Sequence, residues 1–223
     1  MRAPVSRMKK QDIIWMGTHS CRHGHSYLEH YACFIEDNPE TQRIGYFDIE
    51  TTGFKADWDW MLTYAILDDK TDKVYSTLIT VPDLRNEKVM DKKVVTQCVK
   101  DMQNFDVLIG FYTTRFDLPF IRTRAVVFDV AFPGYDELLT KDVYYTVRNK
   151  FALGSNRLQN ACNILLGKSD KTALDRKIWQ TAQRCGNKQS LNYIQEHCII
   201  DVHELKKLYK KVHTFHKAIY KSV

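Results

Sequence analysis

The sequence has no apolar run close to the roughly 20 residues that a membrane-spanning helix needs. Its first residues are basic, but no apolar segment of the signal-peptide type follows them. The six cysteines are scattered, so their spacing does not indicate a disulfide framework. These absences lead us to expect a soluble, intracellular (cytoplasmic) protein with reduced cysteines and no membrane partner.

A phosphate-binding loop is also missing. Gly167, Lys168 and Ser169 follow an expected helix, but no glycine precedes them at the required distance and no strand leads into them. The chain has 33 basic and 27 acidic residues, a net charge of +6, with basic side chains concentrated at the two ends. This mild excess permits a polyanionic partner without proving one.

The length of 223 residues, with 44% apolar residues, allows one domain with a full core, or a small module and one domain. We expect an arm and a small module in residues 1–40 and an α/β domain in residues 41–223. The polar residues 36–42 are the expected linker.

Residues 18–33 are rich in ligands for soft and borderline metals, because two cysteines and four of the eight histidines lie there. Such a density indicates a structural, tetrahedral zinc site that orders a segment too small for its own core. The expected ligands are Cys21, His25, His30 and Cys33. His23 competes with His25, because spacing does not decide between them. The alternative is a histidine-rich loop that binds nothing, since the spacing matches no common zinc motif.

A second group of candidate ligands follows an apolar stretch. Asp48 and Glu50 are two residues apart, so on a strand they point to the same face. Carboxylates on a buried strand repel each other and are costly to desolvate unless a cation lies between them. Oxygen ligands of this kind suit hard divalent cations. A surface strand with solvated acids is the alternative.

The rest of the pattern predicts an α/β sheet. Residues 61–67 and 73–81 are expected to form an antiparallel meander with the strand of Asp48. An amphipathic helix over 88–104 and a buried strand at 106–111 follow, which predicts a crossover connection. Further helices are expected over 117–127, within 150–166 and from about residue 190.

Three acidic or imidazole side chains on these helices have ordinary explanations. Asp117 begins a helix, where the helix dipole favours a carboxylate. His197 and Asp201 are four residues apart on one helix face, which is common for a surface pair of small energy. These three residues follow Asp48 and Glu50 in an order that favours a functional interpretation over these ordinary ones.

Residues 47–53 (FDIETTG), 110–120 (GFYTTRFDLPF) and 197–202 (HCIIDV) together resemble the three exonuclease motifs of the DEDD superfamily of 3′–5′ exonucleases. That superfamily includes the YprB-like RNase H group and the proofreading domains of family-B DNA polymerases. The resemblance covers about residues 43–212. It implies an RNase H-like mixed sheet, with an antiparallel meander of three strands plus parallel strands, flanked by helices. The small N-terminal zinc-binding module would precede this domain.

The resemblance implies that four acids hold two Mg²⁺ or Mn²⁺ ions for phosphodiester hydrolysis, namely Asp48, Glu50, Asp117 and Asp201. The superfamily supplies a general base as Tyr four residues before the last Asp, or as His five before it. Here His197 stands four before Asp201, and an imidazole suits proton transfer near neutral pH. Tyr193 is two helical turns from Asp201, which is too distant.

The second motif also carries expected substrate contacts. Tyr112 stands where the related polymerases usually have Asn, and Tyr112 and Phe116 can stack on terminal bases. Core packing is the alternative for Phe116. Thr51 is a third candidate substrate-binding residue. Asp142 is either a fifth acid near the site or a residue that caps or turns the chain.

The resemblance and the residues together predict a metal-dependent 3′–5′ exonuclease acting on DNA, with single-stranded 3′ ends as substrate, His197 as general base and one structural zinc. Two other functions use the same features. One is a structure-specific endonuclease or RNase with the same site. The other is a non-catalytic nucleic-acid-binding protein with the same fold.

Overall fold

The computed structural model describes residues 8, 10–86, 88–134, 137–170, 175–216 and 221–223. Residues 1–7 and 9 of the expected arm lie outside this part. The strands in the described part are β1 (Ile44–Thr51), β2 (Met61–Asp68), β3 (Val74–Leu78), β4 (Val107–Gly110), β5 (Leu139–Asp142) and β6 (Lys221–Ser222). The helices there are α1 (Lys10–Thr18), α2 (Tyr31–Asp37), α3 (Val81–Leu84), α4 (Lys92–Met102), α5 (Asp117–Val127), α6 (Val143–Lys150), α7 (Leu158–Leu165), α8 (Arg176–Cys185) and α9 (Lys188–Val212).

The described strands form one mixed sheet in the order β3-β2-β1-β4-β5-β6. β3, β2 and β1 are antiparallel neighbours, whereas β1, β4 and β5 run parallel, and β6 is antiparallel to β5. The expected meander and the expected parallel strands are therefore confirmed, and β6 is an addition at the edge. All residues of β2 are buried, because helices cover both faces of the sheet.

β1 extends beyond its parallel neighbour. Its pairing with β4 ends at Tyr46 and Ile109, whereas β1 continues to Thr51. A bulge between Glu50 and Thr51 interrupts the register with β2. Bulges beside functional sites re-aim side chains. The carboxyl end of β1 is therefore open on the β4 side, at the edge where α/β sheets commonly bind ligands.

Alternation along β1 decides which face each side chain meets. Phe47 and Ile49 join an apolar cluster with residues of α4 and α5. Tyr46 joins the cluster on the other face, with residues of α6, α7 and α9. Asp48 and Glu50 have the same parity as Tyr46, so they point toward the face that α9 covers. The two acids thus meet the helix that carries the third sequence motif.

Most helix positions agree with the sequence pattern. α5 spans the expected residues 117–127, whereas α4 and α7 are shorter than the segments expected over 88–104 and 150–166. α9 begins directly after Asn187, whose side chain accepts a hydrogen bond from the first turn. In the described residues, no helix has the length and apolar character that crossing a bilayer requires. All six cysteines are free thiols, as expected.

The N-terminal helices pack on the same face as α9. Met16 and Phe34 belong to the apolar cluster around α9. The hydroxyl of Tyr31 donates to Oδ1 of Asp106 at 3.3 Å, and the backbone N–H of Arg43 donates to Oδ2 of Asp106 at 2.8 Å. Arg43 and Asp106 directly precede β1 and β4. The segment therefore docks near the amino ends of these strands, away from the carboxyl end of β1.

Candidate functional site

An acidic cluster forms where the carboxyl end of β1 meets α9. Glu50 comes from β1, and His197 and Asp201 come from α9. Nε2 of His197 lies 3.9 Å from Oε1 of Glu50 and 3.9 Å from Oδ2 of Asp201. One ligand atom from each of the three residues lies within 4.8 Å of the others. The fold therefore brings together three of the five expected catalytic residues.

Asp48 lies beside this group, against Cys198. Sγ of Cys198 is 3.5 Å from Oδ2 of Asp48 and 3.5 Å from its backbone carbonyl oxygen. Burial raises the pKa of the Cys198 thiol well above its usual value, and the charges of Asp48, Glu50 and Asp201 raise it further. Asp48 is outside the group defined by the 4.8 Å spacing. The charge of Asp48 nevertheless raises the pKa of the Cys198 thiol, as the charges of Glu50 and Asp201 do.

Asp117 reaches β1 from its open edge. It is the first residue of α5 and is buried. Its Oδ1 accepts a hydrogen bond from the backbone N–H of Ile49 at 3.2 Å, between the two acids of β1. Burial raises the pKa of the Asp117 carboxyl to about 7; hydrogen bonds from its own and the Ile49 backbone oppose this rise, and the charge of Asp142 adds to it. Asp117 thus joins the site through the β1 backbone.

The chemistry of these donors fits hard divalent cations. Carboxylate oxygens are the ligands that Mg²⁺ and Mn²⁺ prefer, and a cation offsets the repulsion between acids that share one strand end. The imidazole of His197 is a donor that hard cations favour less. The arrangement therefore combines oxygen ligands for metal with a nitrogen base beside them.

Two neighbours of this site were not expected from the sequence. Cys198 directly follows His197, and nothing in the sequence marks it as a neighbour of Asp48. Trp179, from α8, packs edge-on against the His197 ring, with the ring centroids 5.4 Å apart and an interplanar angle of 88°. The sequence signal for Trp179 is the amphipathic pattern of residues 176–185, which places Trp179 on an apolar helix face. Its contact depends on how α8 packs against α9.

Asp142 organises the loop that precedes Asp117. Its Oδ1 accepts from the N–H groups of Tyr112 at 2.8 Å and Tyr144 at 3.1 Å. Its Oδ2 accepts from the N–H and the hydroxyl of Thr114, at 3.0 and 2.6 Å. This network holds Tyr112 at a φ of +66°, which is uncommon for a residue with a side chain. The geometry favours the capping interpretation of Asp142 over a fifth metal-site acid.

The three expected substrate-binding residues have different environments. Tyr112 is 44% exposed. Phe116 is half-buried and packs against Phe54, which is 84% exposed, with ring centroids 5.9 Å apart. Thr51 is buried, and its hydroxyl donates to the carbonyl of Gly53 at 2.5 Å, which stabilises the turn after β1. Tyr112 and Phe54 therefore offer the accessible aromatic surface.

A second cluster of ligands lies in the N-terminal segment. Each Sγ atom of Cys21 and Cys33 lies near each Nδ1 atom of His23 and His30. The four sulfur–nitrogen distances are 3.8 and 3.3 Å from Cys21, and 3.3 and 3.6 Å from Cys33. A tetrahedral zinc with Zn–S of about 2.3 Å and Zn–N of about 2.05 Å would separate sulfur and nitrogen by about 3.6 Å. These four atoms already have that spacing.

His23, and not His25, completes this group. The geometry therefore favours His23, the competing candidate, over His25 at this position. The backbone carbonyl of His25 accepts from the N–H of Cys21 at 2.8 Å, and Gly24 between the two histidines has a φ of +79°. This turn brings His23 to the sulfur atoms. The ring of His25 instead packs edge-on against His30, with centroids 5.4 Å apart.

The protonation of Cys21 and His30 suits metal binding, whereas that of Cys33 opposes it. Burial would raise the pKa of the Cys21 thiol, but hydrogen bonds from the backbone of His23 and His25 lower it below its usual value. Burial, with the neighbouring Cys21, raises the pKa of Cys33. Burial also lowers the pKa of His30, which favours its neutral form. Thiolate and neutral imidazole are the forms that bind zinc.

Comparisons with known proteins agree with this fold. The chain is similar to the family B DNA polymerase from the hyperthermophilic archaeon Pyrobaculum calidifontis, with a TM-score of 0.58 and 15% identity over 76% of this chain and 24% of that chain. This likeness concerns the fold, and the chain spans about a quarter of the polymerase. No curated protein matches the sequence. A family model of the RNase H superfamily matches residues 45–213, and the chain therefore belongs to the RNase H superfamily.

Proposed function

We propose that this protein is a metal-dependent nuclease, and specifically a 3′–5′ exonuclease that hydrolyses single-stranded DNA. One observation carries the proposal: Glu50 from β1 meets His197 and Asp201 from α9 within 4.8 Å at an open strand end. Asp48 of the same strand contacts Cys198 of α9, and Asp117 accepts a hydrogen bond from the backbone N–H of Ile49 in that strand. Membership in the RNase H superfamily supports the proposal.

Asp48, Glu50, Asp117 and Asp201 would hold two Mg²⁺ or Mn²⁺ ions. When bound, such ions activate a water molecule and stabilise the leaving oxygen of an in-line displacement. The protein holds the acids in place before any ion binds, because β1 and α9 are both packed into the core. The buried Asp117 carboxyl would give up its proton as metal enters.

His197 would accept the proton of the attacking water at Nε2. This atom faces Glu50 and Asp201 at 3.9 Å, so both carboxylates would stabilise the imidazolium that forms. The edge of Trp179 fixes the plane of the ring. The exposed rings of Phe54 and Tyr112 would stack on unpaired bases, which favours a single-stranded substrate.

A cleavage assay with a 5′-labelled single-stranded DNA tests this function. We expect a ladder of products shortened from the 3′ end with Mg²⁺ or Mn²⁺, and none with a chelator. Asp48→Asn should remove the activity. Asp57→Asn, a change of an exposed acid in the following loop, should not.

Circular DNA and RNA serve as further substrates. Cleavage of the circle would replace the exonuclease assignment with an endonuclease, and preference for RNA would replace it with an RNase. No metal-dependent cleavage of any substrate would refute the nuclease.

We also propose that Cys21, His23, His30 and Cys33 bind one structural zinc, in a module of residues 1–40 beside the exonuclease domain of residues 41–223. The four sulfur–nitrogen distances support a tetrahedral ion. Elemental analysis should find about one zinc per chain. His23→Ala should lose it, whereas the matched variant His25→Ala should retain it. Equal zinc content in the two variants would contradict this ligand set.

A further inference from the structure

A cavity of about 420 Å³ lies at β5, which β4 separates from β1 in the sheet, and the acids of the cluster do not line it. It lies between α6 and the 3₁₀ turn His213–Phe215, at the carboxyl end of β5. A cavity of this size is within the range of small-molecule sites. Its polar and aromatic wall includes Lys141, Tyr145, Thr146, Asn149, Lys150 and His216.

The wall of this cavity is basic. Lys141 projects from β5, with its Nζ 3.4 Å from the hydroxyl of Tyr209, and Lys150 is exposed at the end of α6. Nδ1 of His216 contacts the hydroxyl of Thr146. Burial, and then the charge of Lys141, lowers the pKa of His216, whereas the charge of Asp142 opposes this shift, so the three groups are electrostatically close. Lysine ammonium groups with hydroxyl and imidazole donors beside them suit a phosphate.

The single acid among these wall residues offsets part of the lysine charge, and the wall stays net positive. Asp142 lines the cavity, but both of its carboxylate oxygens accept hydrogen bonds from the 112–114 loop and from α6. The aromatic ring of Tyr145 adds an apolar surface. A phosphate with an attached sugar and base therefore matches the wall better than a bare anion does.

The cavity and the acidic cluster lie at the same edge of the sheet. β1, β4 and β5 are parallel, so their carboxyl ends point the same way. Asp142 pairs with Gly110, and the loop from Gly110 leads directly to Asp117. Thr114 of that loop lines the cavity, and the exposed Tyr112 lies in the same loop. A nucleic-acid strand that crosses this loop would contact both sites.

We propose that this cavity binds a phosphate-bearing nucleotide unit of the strand whose 3′ end occupies the acidic cluster. This inference rests on the proposed nuclease function, and it adds a contact upstream of the reacting phosphate. Lys150 and Lys141 supply the charge, and Tyr145 contacts the sugar or base.

Salt-dependent binding tests the inference without any cleavage. The affinity of the full chain for a fluorescent oligothymidylate is measured with Ca²⁺ at several KCl concentrations. Loss of one phosphate contact lowers the slope of log affinity against log salt by about 0.7 for single strands. If the variant and the unmodified protein bind equally at 1 M salt, the variant should therefore bind about fivefold more weakly than the unmodified protein at about 0.1 M salt. Lys150→Gln should show this change. The double variant with Lys141→Gln and Lys150→Gln should show about twice this change in slope.

Lys100→Gln is the matched control, because Lys100 is exposed on α4, which packs on the opposite face of the sheet from α6. Its slope should stay that of the unmodified protein. Equal slopes for Lys150→Gln and Lys100→Gln would overturn the inference. A different result would assign the cavity to a free nucleotide. In that case the unmodified protein binds thymidine 5′-monophosphate, Lys150→Gln does not, and the salt slope for the oligonucleotide is the same in both proteins. This result would overturn the assignment to a strand.

The two proposals fail in different ways. A protein that binds the oligonucleotide through Lys150 but never cleaves DNA would refute the nuclease and keep the cavity as a nucleic-acid contact. A protein that cleaves DNA normally with an unchanged salt slope in Lys150→Gln would keep the nuclease and refute the cavity assignment.

Discussion

The two ligand clusters of this protein are built in opposite ways. Cys21, His23, His30 and Cys33 come from one short segment, and a turn at a glycine with positive φ arranges them. The acidic cluster draws on residues far apart in the sequence, and only the packing of α9 on β1 unites them. The first set has soft and borderline donors at tetrahedral spacing, whereas the second has hard donors at an open edge.

This difference assigns different tasks to the clusters. A closed set of four ligands leaves no position for a substrate, so its metal would contribute free energy to folding. Carboxylates gathered at a strand end cost folding free energy when they are charged, which is typical of functional sites. The N-terminal cluster should therefore govern stability, and the acidic cluster should govern activity.

The largest expected effect is on activity, in Asp201→Asn. Because the carboxylate is a proposed metal ligand, we expect the rate of DNA cleavage to fall by on the order of 10⁴ or more. The melting temperature of the metal-free protein should stay unchanged or rise, because one repelling charge is removed. Single-turnover kinetics and thermal denaturation check the two parts. A large loss of stability with this loss of rate would break the proposed division of tasks.

His197→Gln should have the next largest effect. Loss of a general base costs about 10²–10⁴ in rate. The pH–rate profile should lose its ascending limb near neutral pH, whereas the affinity for Mn²⁺ should change little. His203→Gln, on the same helix outside the cluster, is the matched control. A profile with an intact ascending limb in His197→Gln would show that another group accepts the proton.

Cys33→Ser tests the proposed role of the N-terminal cluster in stability. It should remove the zinc and lower the free energy of unfolding by about 3 kcal/mol, because α2 and the loop before it lose their cross-link. Cleavage by the folded protein at low temperature should be nearly normal, since this cluster is remote from the carboxyl end of β1. Cys185→Ser, a change of the exposed cysteine, controls for the loss of a thiol. If fully folded Cys33→Ser cleaves DNA much more slowly than the unmodified protein, the N-terminal cluster affects activity as well as stability.

Part of this architecture was predictable from local patterns. Alternation predicts the β1–β2–β3 meander, and helical spacing predicts the face of α9 that carries His197 and Asp201. The spacing of Asp48 and Glu50 on one strand already indicates a metal site, and the resemblance to exonuclease motifs adds Asp117. These signals are strong because each depends on side-chain periodicity within one element. The metal-binding roles of the acids stay a prediction.

Other features depend on contacts that no local pattern encodes. The choice of His23 over His25 follows from the conformation of the turn at Gly24, which spacing cannot distinguish. α6 begins with Val143 and Tyr144, residues that favour strands, but Asp142 caps the chain into a helix. The contact of Trp179 with His197 requires the packing of α8 on α9, and the amphipathic pattern of α8 does not identify the helix that its apolar face contacts.

The smallest expected effect is the change of stability over one pH unit in the metal-free protein. Asp117 has a folded-state pKa of about 7, above its usual value of 3.8, chiefly because it is buried. Between these two values the folded protein keeps a proton that the unfolded chain releases. Stability is therefore greatest below the lower value and falls as the pH rises toward 7, by at most about 1.4 kcal/mol per pH unit from this group.

Asp117→Asn separates this effect from all other titrating groups, because the amide resembles the protonated carboxyl and does not ionise. The free energy of unfolding of the unmodified protein, minus that of the variant, should decrease as the pH rises from about 5 to 6. Mg²⁺ added at higher pH should stabilise the unmodified protein more than the variant, because metal replaces the proton. Parallel pH curves for the two proteins would mean that Asp117 is already ionised when folded. The acidic cluster would then carry its full repulsion at the lower pH, and metal binding there would not depend on the release of a proton from Asp117.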